Sequence, residues 1–183
     1  MSEQQRLTIR IKKGADDRTA LTCTRADGTT TWQRLEAGQA RFFPHHDLTH
    51  YAVETVLGFR NGFYGLVSAG WDLSDFGTPW PRGKIPPQAN ISEMIVGFLD
   101  LERRAGEQGS AQDLNQQLAG YCSKKGLPPE RQFTEEDLAA VRAMRGELFA
   151  RWAAVERGNA LEVVFDLDHP LALDKSWKLP PLE

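Results

Sequence analysis

Leu7-Thr8-Ile9-Arg10-Ile11 alternates apolar and polar side chains with period two, the pattern of a strand that buries one face. Working outward, the turn-forming run Gly14-Ala15-Asp16-Asp17 leads to a second strand over about Ala20 to Arg25. The hairpin dipeptide Asp27-Gly28 then leads to a third, over about Thr29 to Leu35. Near the other end, Leu161-Glu162-Val163-Val164-Phe165-Asp166-Leu167 is a further strand candidate, and its simplest closure is onto the N-terminal sheet. The chain between is helical in pattern. The expected fold is therefore α+β, a small antiparallel N-terminal β-sheet joined by the C-terminal strand and packed on a helical bundle. At 183 residues a single domain, 1–183, is the default, with a C-terminal tail over 174–183.

The first helix is predicted from Pro44 to Leu57, with proline in its first turn and Gly58 ending it. Phe63 to Trp71 mixes large apolar residues with glycines that weaken a helix by about 1 kcal/mol each, so it reads either as close helix packing or as an irregular buried turn. Residues 77–89 hold Pro79, Pro81, Pro86 and Pro87 beside Trp80, Arg82 and Lys84. They form the longest predicted loop, a surface connection or a lid. Asn90-Ile91-Ser92-Glu93 has the form of a capping box, opening a helix that buries Ile91, Met94, Ile95, Phe98 and Leu99. Glu102 falls near that face, while Glu93 and Asp100 point away. A helix over about Ala111 to Ser123 follows, and the longest runs from Thr134 to about Arg157. Arg145 lies at the centre of its apolar stripe of Leu138, Val141, Leu148, Trp152 and Val155. It either lays its stem on the core and reaches solvent, or meets an anion such as a substrate, Asp47 or Glu54.

The predicted first helix contains Pro44-His45-His46-Asp47-Leu48-Thr49-His50-Tyr51-Ala52-Val53-Glu54, which gathers three of the four histidines. At about 100° per residue, His46, His50, Glu54 and Asp47 fall within one stripe about 100° wide. The rest of the helix is apolar nearly all round, and no Lys or Arg occurs between Phe42 and Phe59. The charges thus stand where a neighbouring helix would pack. Burying them without partners is costly. A divalent cation held by His46, His50, Glu54 and Asp47 would offset that cost, zinc being the first expectation and iron or manganese the alternatives. The bland reading is a metal-free polar seam between helices. His45 points away from the stripe. His45, Tyr51 and Arg145 are the candidates to touch substrate or to support the ligands from behind.

His46-Asp47-Leu48-Thr49-His50 resembles the HDxxH zinc motif of the coenzyme Q biosynthesis family, an all-helical group in which a more distant Glu follows; the position at that spacing here is Gly62, with Glu54 the nearby acid. It resembles more weakly the HExxH of zinc metallopeptidases, where the acid between the histidines is the general base. These resemblances cover about ten residues and imply a metal site; in a hydrolytic mechanism a metal would lower the pKa of bound water, and Asp47 or Glu54, whichever is not a ligand, would accept its proton. Asp72, Asp75 and Glu102 are candidates for a further ligand.

A net charge of -3 with both signs spread through the chain leaves no polybasic footprint, so nucleic acid is not an expected partner. Trp32 beside Arg34 is a weak candidate for base stacking. Cys23 and Cys122 lack CxxC spacing and read as reduced thiols. Met1 to Arg6 lacks the apolar core of a signal peptide and no apolar stretch approaches about 20 residues, so a cytoplasmic protein without a membrane partner is expected. Neither a P-loop nor a G-x-S-x-G elbow is present. Two functions fit these features. One is a divalent-metal-dependent hydrolase or lyase acting on a small molecule, with Asp47 and Glu54 as its catalytic carboxylates. The other is a non-catalytic structural or protein-interaction domain, in which the Trp/Pro-rich loop and the Trp177 tail engage a protein partner or a second copy in a homodimer.

Overall fold

The computed structural model describes residues 6–127, 131–166 and 168. Strands β1 (Arg6–Lys13), β2 (Thr19–Arg25), β3 (Thr30–Leu35) and β4 (Ala160–Asp166) form one antiparallel sheet in the order β3-β2-β1-β4. The closure expected from the sequence is present: β4 pairs with β1 in the register Ile9↔Val163, so period-two alternation on both strands turns the same face inward. Leu7, Ile9, Ile11, Leu21, Cys23, Leu161, Val163 and Phe165 are buried there, while Arg10, Lys12 and Glu162 face solvent. Gly28, at φ +82°, makes the β2–β3 turn, in which Arg25 N–H donates to the Thr29 carbonyl at 2.9 Å.

Against the sheet pack α1 (Ala37–Ala40), α2 (Phe43–Leu57), α3 (Phe63–Ser68), a 3-10 turn (Leu73–Phe76), α4 (Pro87–Ala105), α5 (Ala111–Lys125) and α6 (Glu135–Ala154). This is the expected α+β arrangement, and the described elements share one apolar core. Helix α2 is central. It touches α4, α6, α3 and β4, and ten of its fifteen residues are buried, so its polar side chains must find partners inside. Gly58 ends it in the left-handed conformation at φ 70°.

Three boundaries differ from the sequence reading. Helix α4 begins at Pro87, before the expected capping box, because a proline in the first turn loses no helical hydrogen bond. The connecting loop is correspondingly shorter than 77–89, and Asn90 Nδ2 donates to the Ile85 and Pro86 carbonyls at 3.2 Å instead of capping. Helix α6 stops at Ala154, where Val155 turns extended and Lys13 Nζ takes the Trp152 and Val155 carbonyls. Helix α5 continues to Lys125, with Gly126 left-handed after it.

Phe63 to Ser68 is a short helix, and its glycine is there for close approach: a Cβ on Gly65 would lie 2.0 Å from the Arg60 carbonyl oxygen. The Pro-rich loop is tied back toward the 3-10 turn by Arg82, which donates to Asp75 Oδ2 and to the Gly70 carbonyl, both at 2.7 Å. No helix among the described residues is long and apolar enough to cross a membrane. The expected tail over 174–183, with Trp177, lies outside the described residues.

Candidate metal centre

The seam between α2 and α4 gathers the polar groups of the motif helix. His46 and His50, one turn apart on α2, stack edge to face with ring centroids 4.8 Å apart. Each ring is gripped on its Nδ1 side by a buried carboxylate. His46 Nδ1 lies 2.9 Å from Asp100 Oδ2, and His50 Nδ1 lies 3.2 Å from Glu54 Oε1. A proton on Nδ1 satisfies both contacts, so Nε2 is the nitrogen that would bind a metal, giving up to it the proton that His50 Nε2 shares with Glu93 in the metal-free chain. Both Nε2 atoms converge on one further group, Glu93 of α4: His50 Nε2 is 2.9 Å from Glu93 Oε2 and His46 Nε2 is 3.7 Å from Glu93 Oε1.

His46, His50 and Glu93 each offer a ligand atom within 4.8 Å of the others. A cation with bonds of about 2.0–2.2 Å holds its ligand atoms about 3.3 Å apart, so these residues fit a divalent metal with small adjustments. The side chain of His50 is 3% exposed and that of Glu93 61%, so one wall of the group is closed and the other is open to solvent. Phe42 and Phe43 pack on the His46 ring, and Phe63 packs on His50 at 5.2 Å. These rings lower the local dielectric and strengthen the charge interactions they surround.

Glu54 is held too fully to turn toward that group. Its carboxylate accepts from Phe63 N–H at 2.7 Å, Tyr64 N–H at 2.9 Å, Ser92 Oγ at 2.9 Å and His50 Nδ1. The first two donors are open N–H groups at the start of α3, where a carboxylate is favoured. Gly62 permits this, since a Cβ there would lie 2.4 Å from the Glu54 carboxyl carbon. Glu54 is thus an anchor for His50, and Glu93 stands where the sequence placed Glu54. Glu93 and Asp100 do not point away: both face α2 from α4. Periodicity of the apolar residues marks only the apolar side of a helix and is silent on a polar side that is also covered. Glu93 directly follows Ser92 in the sequence, and nothing local distinguishes it from a solvated acid.

Asp47 is 4% exposed and its Oδ2 has no hydrogen-bond partner. Burial pushes its pKa up, to about 7, against the charges of His46 and His50. It also helps raise the Cys23 thiol, which burial takes to about 12. Burial would lower the His50 pKa, but the hydrogen bonds and charges of Glu54 and Glu93 outweigh it and raise it to about 10 in the metal-free protein. Partial burial would raise Glu93, yet the bond from His50 holds it below the usual carboxylate range.

The remaining candidates are placed elsewhere. Tyr51 donates from its hydroxyl to the Val164 carbonyl beneath the sheet at 2.8 Å. Arg145 donates to the Leu99 carbonyl at 2.8 Å and lies 3.6 Å from Glu102, so its anion is on α4. His45 packs edge-on against Phe149 of α6. Burial and then the Arg103 charge lower its pKa, while the Arg41 carbonyl lies close enough to oppose this without making a hydrogen bond to Nδ1. Asp72, Asp75 and Glu102 are engaged by Arg25, Arg82 and Arg142 respectively. Cys23 and Cys122 are both buried free thiols. Comparison with protein families, with curated proteins and with solved structures gives no match for this chain.

Proposed function

We propose that the protein binds a divalent transition metal through His46 Nε2, His50 Nε2 and Glu93, and that it uses the metal in hydrolysis or elimination on a small molecule. One observation carries this reading: two imidazoles with their outer nitrogens fixed by carboxylates aim their inner nitrogens at a third carboxylate that is open to solvent. Two histidines and one carboxylate suit zinc, and the same donor set serves iron(II) or manganese(II). Bound there, the cation would supply Lewis-acid chemistry at a position that protein ligands do not fill.

The chain's own residues divide the remaining work. Asp100 and Glu54 fix the tautomers and angles of the rings, and Ser92 steadies Glu54. The Phe42, Phe43 and Phe63 rings exclude water from the closed side. Asp47, buried and without a partner at Oδ2, is the group able to hold a proton near neutral pH. A small-molecule substrate would enter past Glu93.

The competing reading is a structural seam in which His50 is an imidazolium between Glu54 and Glu93, and the raised His50 pKa favours it. Elemental analysis of purified protein separates the two. A near-stoichiometric transition metal in the wild type, lost in both His50→Ala and Glu93→Gln, is expected from the metal reading. Its absence from metal-supplemented wild type would leave the seam. Glu93→Gln is the sharper variant, because Glu93 is exposed and its loss should leave the fold standing.

A further inference from the structure

A second site lies across the first turn of α2 from the metal centre, and it is marked by what is left unsatisfied. Thr19 is 5% exposed, and its Oγ1 has no hydrogen-bond partner; neither has His45 Nδ1. Both residues line one cleft of about 520 Å³ between the β1–β2 hairpin, α1, α2 and the end of α6. That volume is in the range of small-molecule sites. A buried hydroxyl without a partner is destabilising, and a ligand oxygen would remove the penalty once the Thr19 hydroxyl, closed to solvent in the unliganded chain, turned toward the cleft to donate to it.

The lining is strongly cationic, with Lys13, Arg18, Arg41 and Arg157 against the carboxylate of Asp17. Three of these cations are already held in place. Arg18 pairs with Asp16 and Glu36, Arg157 with Asp17 and the Ala15 carbonyl, and Lys13 with the two carbonyls at the end of α6. A guanidinium has five N–H donors, so a pairing of this kind orients it and still leaves donors free. The Arg41 side chain has neither an ion pair nor a hydrogen bond among the described residues. Trp152, with Lys13 Nζ 4.6 Å over its ring, and Ala40 form an apolar wall.

We propose that this cleft binds a small organic anion, a phosphate or carboxylate carried on an apolar body, with Arg41 supplying the uncommitted charge and Thr19 the hydroxyl donor. The fixed Arg18 and Arg157 shape the mouth, and Trp152 receives the apolar body. A bare ion would leave most of the cleft unfilled. The site is separate from the metal: His45 faces α6, while His46, the next residue, faces α4.

Isothermal titration of the full chain at low ionic strength tests this, with phenyl phosphate, benzoate and inorganic phosphate as probes, each with and without chelator. Saturable binding of phenyl phosphate or benzoate is expected, unchanged by chelator and weakened about tenfold or more in Arg41→Ala. Which of the two binds more tightly assigns the anion. Thr19→Val should also weaken binding, while its unliganded melting temperature stays equal to or above that of the wild type. Absence of saturable binding by any probe at millimolar concentration overturns the proposal, as does binding indifferent to both substitutions. Binding abolished by chelator would place the anion at the metal centre and overturn the separate site. Inorganic phosphate bound as tightly as phenyl phosphate would overturn the assignment of an organic ligand.

Discussion

His45 and His46 are neighbours in the first turn of α2, yet they belong to regions built on opposite terms. His46 enters a seam in which ring nitrogens meet carboxylates at 2.9 to 3.2 Å and one of those carboxylates, Glu54, receives four donors. His45 enters a cleft where two buried polar atoms have no partner and where, among the described residues, the Arg41 side chain has neither an ion pair nor a hydrogen bond. In the seam the protein supplies its own counter-groups and leaves one open edge, at Glu93. In the cleft the chain leaves polar groups without counter-groups of its own. A polar interior can thus be read by its satisfaction as much as by its composition.

The largest expected effect tests the satisfied side. Glu54→Ala deprives four donors of their acceptor, two of them backbone N–H groups of α3, and should lower the unfolding free energy by about 3–5 kcal/mol in urea denaturation. A loss of under about 1 kcal/mol would break the view of Glu54 as the hub of the seam.

Asp47, like Asp100 at Oδ1, has a buried carboxylate oxygen without a hydrogen-bond partner, and its effect has a sign set by pH. Its folded pKa of about 7 lies above the ordinary 3.8, so the native state holds this proton more tightly than the unfolded chain does. In metal-free protein, stability linked to Asp47 is complete below about pH 4 and is lost as pH rises through about 7. Asp47→Asn should therefore be about 2–4 kcal/mol more stable than wild type near pH 8 and nearly equal to it near pH 4. Denaturation curves of chelated protein at those two pH values check this, and a flat difference would remove Asp47 from the interior charge balance.

Smaller effects sharpen the contrast. Ser92→Ala removes one donor from Glu54 and should cost about 1 kcal/mol, with metal held about tenfold less tightly because His50 is less firmly aimed. Thr19→Val, on the unsatisfied side, should instead gain about 0.5–1 kcal/mol in thermal unfolding without ligand, because it deletes a buried hydroxyl that has no partner. A loss at Thr19 comparable to that at Ser92 would erase the distinction between the two regions.

Much of this architecture is legible in the chain. Period-two alternation in Leu7 to Ile11 and Leu161 to Asp166, with Asp27-Gly28 between strands, determines the sheet and which of its faces is inside. Pro44, Gly58 and the apolar sides of Pro44 to Leu57 determine a buried helix whose histidines at 46 and 50 share a face. These are consequences of spacing along one element, and an isolated strand or helix already has them. The tertiary structure decided which side of α4 came to rest against that face. It made Glu93 the third member of the group, turned Asp100 into the partner of His46, and gave Glu54 to the start of α3. It also placed Thr19 and His45, remote in sequence, in one cleft. Helical periodicity fixes which side chains point the same way, whereas the partner they meet depends on how separate helices pack, and that is settled by burial over the whole domain.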